Sequence, residues 1–249
     1  MIMEKQPLLN TYVNNVSMAE TLDRICQLID EKKKSYVVAI NVDVVMKIEK
    51  DRYLKKIADE ADLTLLDGKP LVWIAKWHKR QVKAKISGSD LVPELCKVAA
   101  KKGYSIYIIG GAEGVADKAR ANLERELKGI NIVGTYSPPF GFEKDMKQLQ
   151  GINQMITDVQ PDLVIACFGC PKQEKWIYEN YQKYDGTVSI CAGATVDFLA
   201  GNVNRAPKWM ADHGFEWLYR FTQEPKRLFK RYFVDDIKIL GLVWKYRKD

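Results

Sequence analysis

Short β-branched runs alternate along the chain with longer stretches whose apolar residues recur every third and fourth position. The runs Tyr36–Ile40, Leu63–Leu66, Ser105–Ile109, Asn131–Thr135, Asp162–Ala166 and Thr187–Cys191 predict strands. The stretches Met18–Glu31, Val45–Ala58, Pro70–Trp77, Ser89–Lys101, Glu113–Leu127, Lys144–Val159 and Pro171–Tyr184 predict helices. Strands regularly separated by helices pair in parallel, because the crossover is long enough to return the chain to the same edge. The expected fold class is therefore α/β: a Rossmann-like, mostly parallel sheet with helices on both faces.

After Gly193 the rhythm changes and no further strand pattern follows. Pro207 opens one helix, Phe215–Thr222 reads as another, and Pro225 opens a third that runs toward the end. A boundary within 195–205 divides the chain into a body over 1–200 and a helical appendage over 201–249. The appendage is too short for an independent core, so it is expected to pack on the body.

The 249 residues, 47% hydrophobic and 29% charged, describe an ordinary globular protein. The formal charge is +7, and nine Lys/Arg against four Asp/Glu from Arg220 to Asp249 place most of it in the appendage. A basic tail calls for an anionic partner. The N-terminus lacks a basic stretch followed by an apolar one, and no apolar run reaches the ~20 residues of a spanning helix. Five cysteines suit a reducing compartment, and two distant histidines leave no metal-ligand spacing. A cytoplasmic protein with no metal is expected, and no nucleic-acid-binding motif is present.

Several motifs fall where predicted strands end. Ile108-Ile-Gly110-Gly111-Ala-Glu-Gly114 runs a strand through glycines into a helix, either as a tight turn or as a close approach to a nucleotide. Its GGxxG spacing differs from a dinucleotide fingerprint. Phe168-Gly-Cys-Pro-Lys172-Gln173-Glu174 places Lys172 and Gln173 at a helix N-terminus beside a strand end, where open α/β sheets bind ligands. Cys167 and Cys170 form a CxxC, with a redox reading weaker than a structural one. Asp67 ends a strand and is either a general base or a cap before Pro70. Ser87-Gly-Ser-Asp90 reads as a helix cap, and Asp197 follows a stretch of small residues. In the tail, Arg227 and Arg231 share a helix face, whereas Pro225 separates them from Arg220. Aromatic neighbours make this surface suited to an anionic membrane or to a diphosphate, the bland alternative being a solvated charged face.

Taken together, Asp67-Gly68, Ser87-Gly-Ser-Asp90-Leu, the Gly110-Gly111 turn, Gly169-Cys-Pro-Lys-Gln-Glu174, the Gly193–Gly201 segment, Arg205-Ala-Pro207 and Glu216-Trp-Leu-Tyr-Arg220 with Glu224-Pro resemble the WecG/TagA/CpsF glycosyltransferases, glycosyltransferase family 26. The resemblance runs from about residue 35 to about residue 235. It implies an inverting, metal-independent and cofactor-free transferase. Such an enzyme moves N-acetylmannosamine or a related sugar from a UDP-sugar to a polyprenyl-diphosphate-linked sugar. It serves teichoic acid, capsule or exopolysaccharide synthesis, works peripherally on the inner face of the bacterial membrane, and is a possible homo-oligomer. On this resemblance Asp67 is the base, Arg220, Arg227 and Arg231 meet the leaving diphosphate, and Asn41, Lys85, Ser87, Asp90, Gly110, Gly111, Lys172, Gln173 and Asp197 bind substrate.

Two positions depart from the family pattern. Ala39 stands where many members have threonine, with Asn41 retained and Asp43 nearby. Lys85 replaces an arginine, keeping the charge but losing the bidentate fork. Both changes bear on the choice of donor sugar. Two other classes compete. A nicotinamide-dependent oxidoreductase would need an acidic ribose ligand ~20 residues past the glycines, and Glu124 and Glu126 fall early and within a helix. A non-catalytic membrane adaptor would use the tail alone.

Overall fold

The structure is a computed structural model that describes residues 3–207, 209–210 and 213–247, and only the backbone of Arg227. The body is a six-stranded, wholly parallel sheet of β3 (Ser35–Ile40), β4 (Leu63–Leu66), β5 (Ser105–Gly110), β6 (Asn131–Tyr136), β7 (Leu163–Cys167) and β8 (Val188–Cys191). The strand order is β4-β3-β8-β7-β5-β6. Each strand lies within a residue or so of its expected span. Alternate side chains feed two apolar layers, one on each face. Tyr36, Val38 and Ile40 of β3 enter the first, and Val37 enters the second. Helices α1 (Met18–Asp30), α5 (Gly88–Lys102) and α6 (Val115–Glu126) cover the second layer; α2 (Val42–Ile48), α3 (Arg52–Glu60), α4 (Lys69–Trp77), α7 (Met146–Val159) and α8 (Lys172–Asn180) cover the first.

Two local features differ from the sequence expectation. A hairpin of β1 (Lys5–Leu8) and β2 (Thr11–Asn14) precedes α1, and the Asn14 side chain accepts from the Thr64 N–H at 2.8 Å. Two strands of four residues, the first carrying Pro7, leave too little alternation to read. The helix expected over Val45–Ala58 is two helices. The first ends at Ile48, and Asp51 caps the second, its carboxylate accepting from the N–H groups of Tyr53 and Leu54, both at 3.0 Å.

Past β8, α9 (Thr195–Leu199) packs on α6. The helix expected from Pro207 crosses residues 208, 211 and 212, outside the described residues. Then come α10 (Glu216–Gln223) and α11 (Pro225–Lys230), a π-turn at Arg231–Asp235, a 3₁₀ turn at Asp236–Lys238, and α12 (Ile239–Lys245). The third tail helix is thus broken by two irregular turns. Ile239, Leu242 and Val243 are buried in the same layer as Val44, Val45 and Ile48 of α2. Glu49 clamps this junction, taking Lys245 at 2.6 Å and the Tyr246 hydroxyl at 3.1 Å.

Candidate active site

The carboxyl ends of β3, β4, β7 and β8 open into a cleft of about 700 Å³. Ligands collect at this edge in open parallel sheets because loops there diverge and leave a crevice. The opposite wall is the tail, which contributes Gly214, Glu216, Trp217, Arg220, Arg231, Tyr232, Phe233 and Asp236. The site is therefore made by two parts of the chain that lie far apart in sequence.

Asp67 sits one residue past β4, and its N–H continues the sheet pairing to Ile40 O at 2.8 Å. Gly68, at φ +93°, turns the chain into α4 and serves as its N-cap without a side-chain bond. The Asp67 carboxylate is therefore not spent on capping. Its Oδ2 accepts from Asn41 Nδ2 at 3.3 Å. Asn41 is itself fixed, since its Oδ1 caps α2 by accepting from the Val44 N–H at 3.1 Å. Burial pushes the Asp67 carboxyl up to about 6, against the opposing pull of Lys85 and the Asn41 bond. A recessed carboxylate that titrates just below neutrality is suited to taking a proton. Ala39, on the adjacent strand, lines the same cleft and brings no hydroxyl to it.

Lys85 lies 2.7 Å from Asp90 and 3.7 Å from Glu216 of α10. Burial works against its charge, but Asp90, Glu216 and Asp67 outweigh it and raise its pKa. Asp90 and Ser87 form the capping box of α5, and Asp90 also holds Arg205. Burial opposes the Asp90 charge, yet Lys85, Arg205 and Ser87 hold the carboxyl well below the usual range. Lys85 and Ser87 line the cleft, whereas Asp90 lies behind them as an anchor between the body and the start of the tail.

Gln173 is buried and lines the cleft, and its amide is largely committed to the protein. Its Oε1 accepts from the N–H groups of Gly169 at 3.2 Å and Gly193 at 2.9 Å, joining the loops after β7 and β8. Its Nε2 donates to Glu174 at 2.9 Å. Burial pushes the Glu174 carboxyl up. Gln173 thus shapes the cleft floor. Asp197, in the first turn of α9, lines the cleft.

Of the tail arginines, Arg220 lines the cleft and lies over the Phe198 ring at 5.6 Å. Arg231 also lines it, 4.0 Å from Asp43 and 3.6 Å from Asp236. Burial pushes the Asp236 carboxyl up to about 6 despite Arg231. The Arg227 side chain lies outside the described residues.

Besides Asp90, three further expected ligand contacts lie outside the cleft lining. Lys172 ion-pairs with Glu143 at 3.0 Å and covers the rings of Phe140 and Phe142, outside the cleft lining. Gly110 and Gly111 also stand outside it. A Cβ on Gly110, at φ +123°, would meet the Cys167 carbonyl oxygen at 2.4 Å, and one on Gly111 would meet Val115 and Val196. Packing of strand and helix therefore accounts for both glycines, whether or not a ligand also approaches that turn. Glu124, the acidic residue an oxidoreductase would turn to a ribose, pairs with Arg120 at 2.7 Å along α6. The CxxC is not poised for redox work, because burial pushes the Cys167 thiol up to about 12 and raises that of Cys170 as well.

Glu216 and Asp236 are site residues that the sequence reading passed over. Glu216 had a signal, standing four residues before Arg220 on one helix face. Asp236 had none, since its place depends on the turns that break the tail.

Comparison with known proteins finds relatives along most of the chain. A protein of Bacillus subtilis (strain 168) named N-acetylglucosaminyldiphosphoundecaprenol N-acetyl-beta-D-mannosaminyltransferase is 29% identical over 218 residues, covering 87% of this chain and 82% of that protein. A protein of the same name from Bacillus spizizenii (strain ATCC 23059 / NRRL B-14472 / W23) is 28% identical over 199 residues, covering 80% of this chain and 75% of that one. The sequence model of the glycosyl transferase WecG/TagA/CpsF family matches residues 6–249, the cleft and the tail that closes it alike, and the chain belongs to that family.

Proposed function

We propose that this protein transfers N-acetylmannosamine or a related sugar from a UDP-sugar to a polyprenyl-diphosphate-linked sugar, at the cytoplasmic face of a membrane. The observation that carries the reading is Asp67: a carboxyl of raised pKa, oriented by Asn41, in a cleft whose far wall carries Arg220 and Arg231. The two Bacillus relatives bear names for an acceptor of this class.

The reaction is a single displacement with inversion. The acceptor hydroxyl oxygen forms a bond to the anomeric carbon as the bond from that carbon to the UDP oxygen breaks. Asp67 receives the hydroxyl proton. Negative charge grows on the departing diphosphate, and cationic side chains must meet it there. Arg220 and Arg231 line the cleft for this, with Arg227 as the third tail arginine, and Lys85 adds charge from the body side. Asp43 and Asp236 hold Arg231 in place until an incoming diphosphate competes for it. Ser87 and Asp197 border the space left for sugar. Among the described residues no helix is long and apolar enough to cross a membrane, so the proposed attachment is to its surface.

The test is UDP release from a panel of UDP-sugars, with and without a short prenyl-diphosphate-linked N-acetylglucosamine. Acceptor-dependent release from one donor, lost in Asp67→Asn, is expected. Release that ignores the acceptor, or an Asp67→Asn variant of undiminished turnover, overturns the reading.

A further inference from the structure

Helix α4 presents an unusual outer face. Leu71, Val72 and Ala75 are buried, yet Trp73 and Trp77 on the other side are 56% and 68% exposed. They stand one turn apart on the same face, with Lys76 exposed beside them and Lys79 just beyond. A soluble surface gains nothing from paired indoles, which leave a large apolar area in water. Among the described residues no carboxylate neutralises Lys76 or Lys79.

The position of this face gives it a purpose. The first residues of α4, Lys69 and Pro70, line the cleft mouth, as do Gly214 and Trp217 of the tail. Gly214 packs directly on α4: a Cβ there would lie 3.2 Å from the Trp73 indole and 3.3 Å from Lys69. Phe215, the next residue, is 45% exposed. The indoles of α4 therefore continue outward from the cleft rim, on the body side, next to exposed aromatics of the tail.

We propose that the outer face of α4, formed by Trp73, Lys76, Trp77 and Lys79, is a membrane contact of the body itself, taking an anionic lipid surface and acting alongside the tail. The inference rests on the proposed lipid-linked acceptor. Indoles pair an apolar body with an N–H tip and settle at the headgroup level, and lysines beside them complement anionic headgroups. A second contact, added to the exposed Phe233 and Ile237 of the tail, fixes how the cleft faces the bilayer, which one attachment point cannot do.

The experiment is co-sedimentation of the full-length protein with phosphatidylcholine vesicles, with and without phosphatidylglycerol. The variants are Trp77→Ser, the pair Trp73→Ser/Trp77→Ser, and the pair Lys76→Glu/Lys79→Glu. Each pair is expected to weaken binding to the anionic vesicles about tenfold or more. UDP release with a short water-soluble acceptor should stay at the wild-type level. Variants that bind like the wild type overturn the α4 proposal while leaving a tail-mediated attachment intact. A wild-type protein that binds neither vesicle overturns the membrane reading as well. Light scattering supplies the remaining outcome: substitutions that split a dimer without changing vesicle binding would make this face a contact between copies, and the proposal would fall. Trp77→Ser and the lysine pair leave Trp73, the indole nearest Gly214, in place, so they remain informative if the Trp73 substitution disturbs the tail.

Discussion

A carboxyl at the end of a buried strand works against its own desolvation, and in the proposed mechanism Asp67 does so in the service of proton transfer. Its titration gives the acid limb of the rate profile: kcat/KM with a soluble acceptor should rise with pH and level off above about 6. A limb near pH 4 would mean that some other carboxylate is the base. The same shift bears on stability. The folded state holds a proton that the unfolded chain releases nearer pH 4, so stability falls as pH rises between about 4 and 6, and the penalty is complete above that window. Asp67→Asn should therefore abolish transfer, keep UDP binding, and raise stability at pH 8 by on the order of 1 kcal/mol, the gain vanishing below pH 4. Paired thermal melts at the two pH values check it. The strand end that carries Asp67 could be read from Leu63–Leu66 alone. Whether its carboxylate would cap α4 could not, because that depended on Gly68 taking the cap position.

Between elements, two contacts fix how strands and loops pack, one at the cleft and one beside it. Gln173 ties the loops after β7 and β8 through two backbone N–H groups, and Gln173→Ala leaves both without that acceptor. A stability loss of about 1–3 kcal/mol and a lower kcat follow, readable by urea unfolding and UDP release. At Gly110 the backbone of β5 meets the Cys167 carbonyl with no room for a methyl group, in a conformation that side chains rarely adopt. Gly110→Ala should cost on the order of 3 kcal/mol, and any UDP affinity lost should return where the variant is still folded. A folded variant that cannot bind UDP would restore these glycines as ligand contacts. The GGxxG pattern was visible in the sequence, but its purpose was not, since strand packing and phosphate binding make the same demand on a residue without a side chain. Lys172 is similar: a cation beside a strand end was legible, and only Glu143 with two phenylalanine rings shows which way it turns.

Across the whole molecule, the tail is both wall and plug. Its α12 fills the apolar layer over α2, and its α10 and the turns after α11 carry Arg220 and Arg231 to the cleft. Deleting residues 205–249 should lower turnover at least about a hundredfold by removing the proposed diphosphate contacts, and should reduce vesicle binding in parallel. A truncated protein as active as the full chain would remove the tail from the mechanism. The sequence by itself determined the parallel α/β body, the strand ends at which chemistry could sit, and the basic, aromatic character of the tail. Those follow from local periodicity, from turn residues and from composition, which act over a few neighbours. Only the tertiary structure decided that Asn41 orients Asp67, that Lys85 and Glu216 face each other across the cleft, and that Asp43 and Asp236 hold Arg231. Pairings between residues so far apart in the chain are selected by packing and by the electrostatics of burial, and no local pattern encodes them.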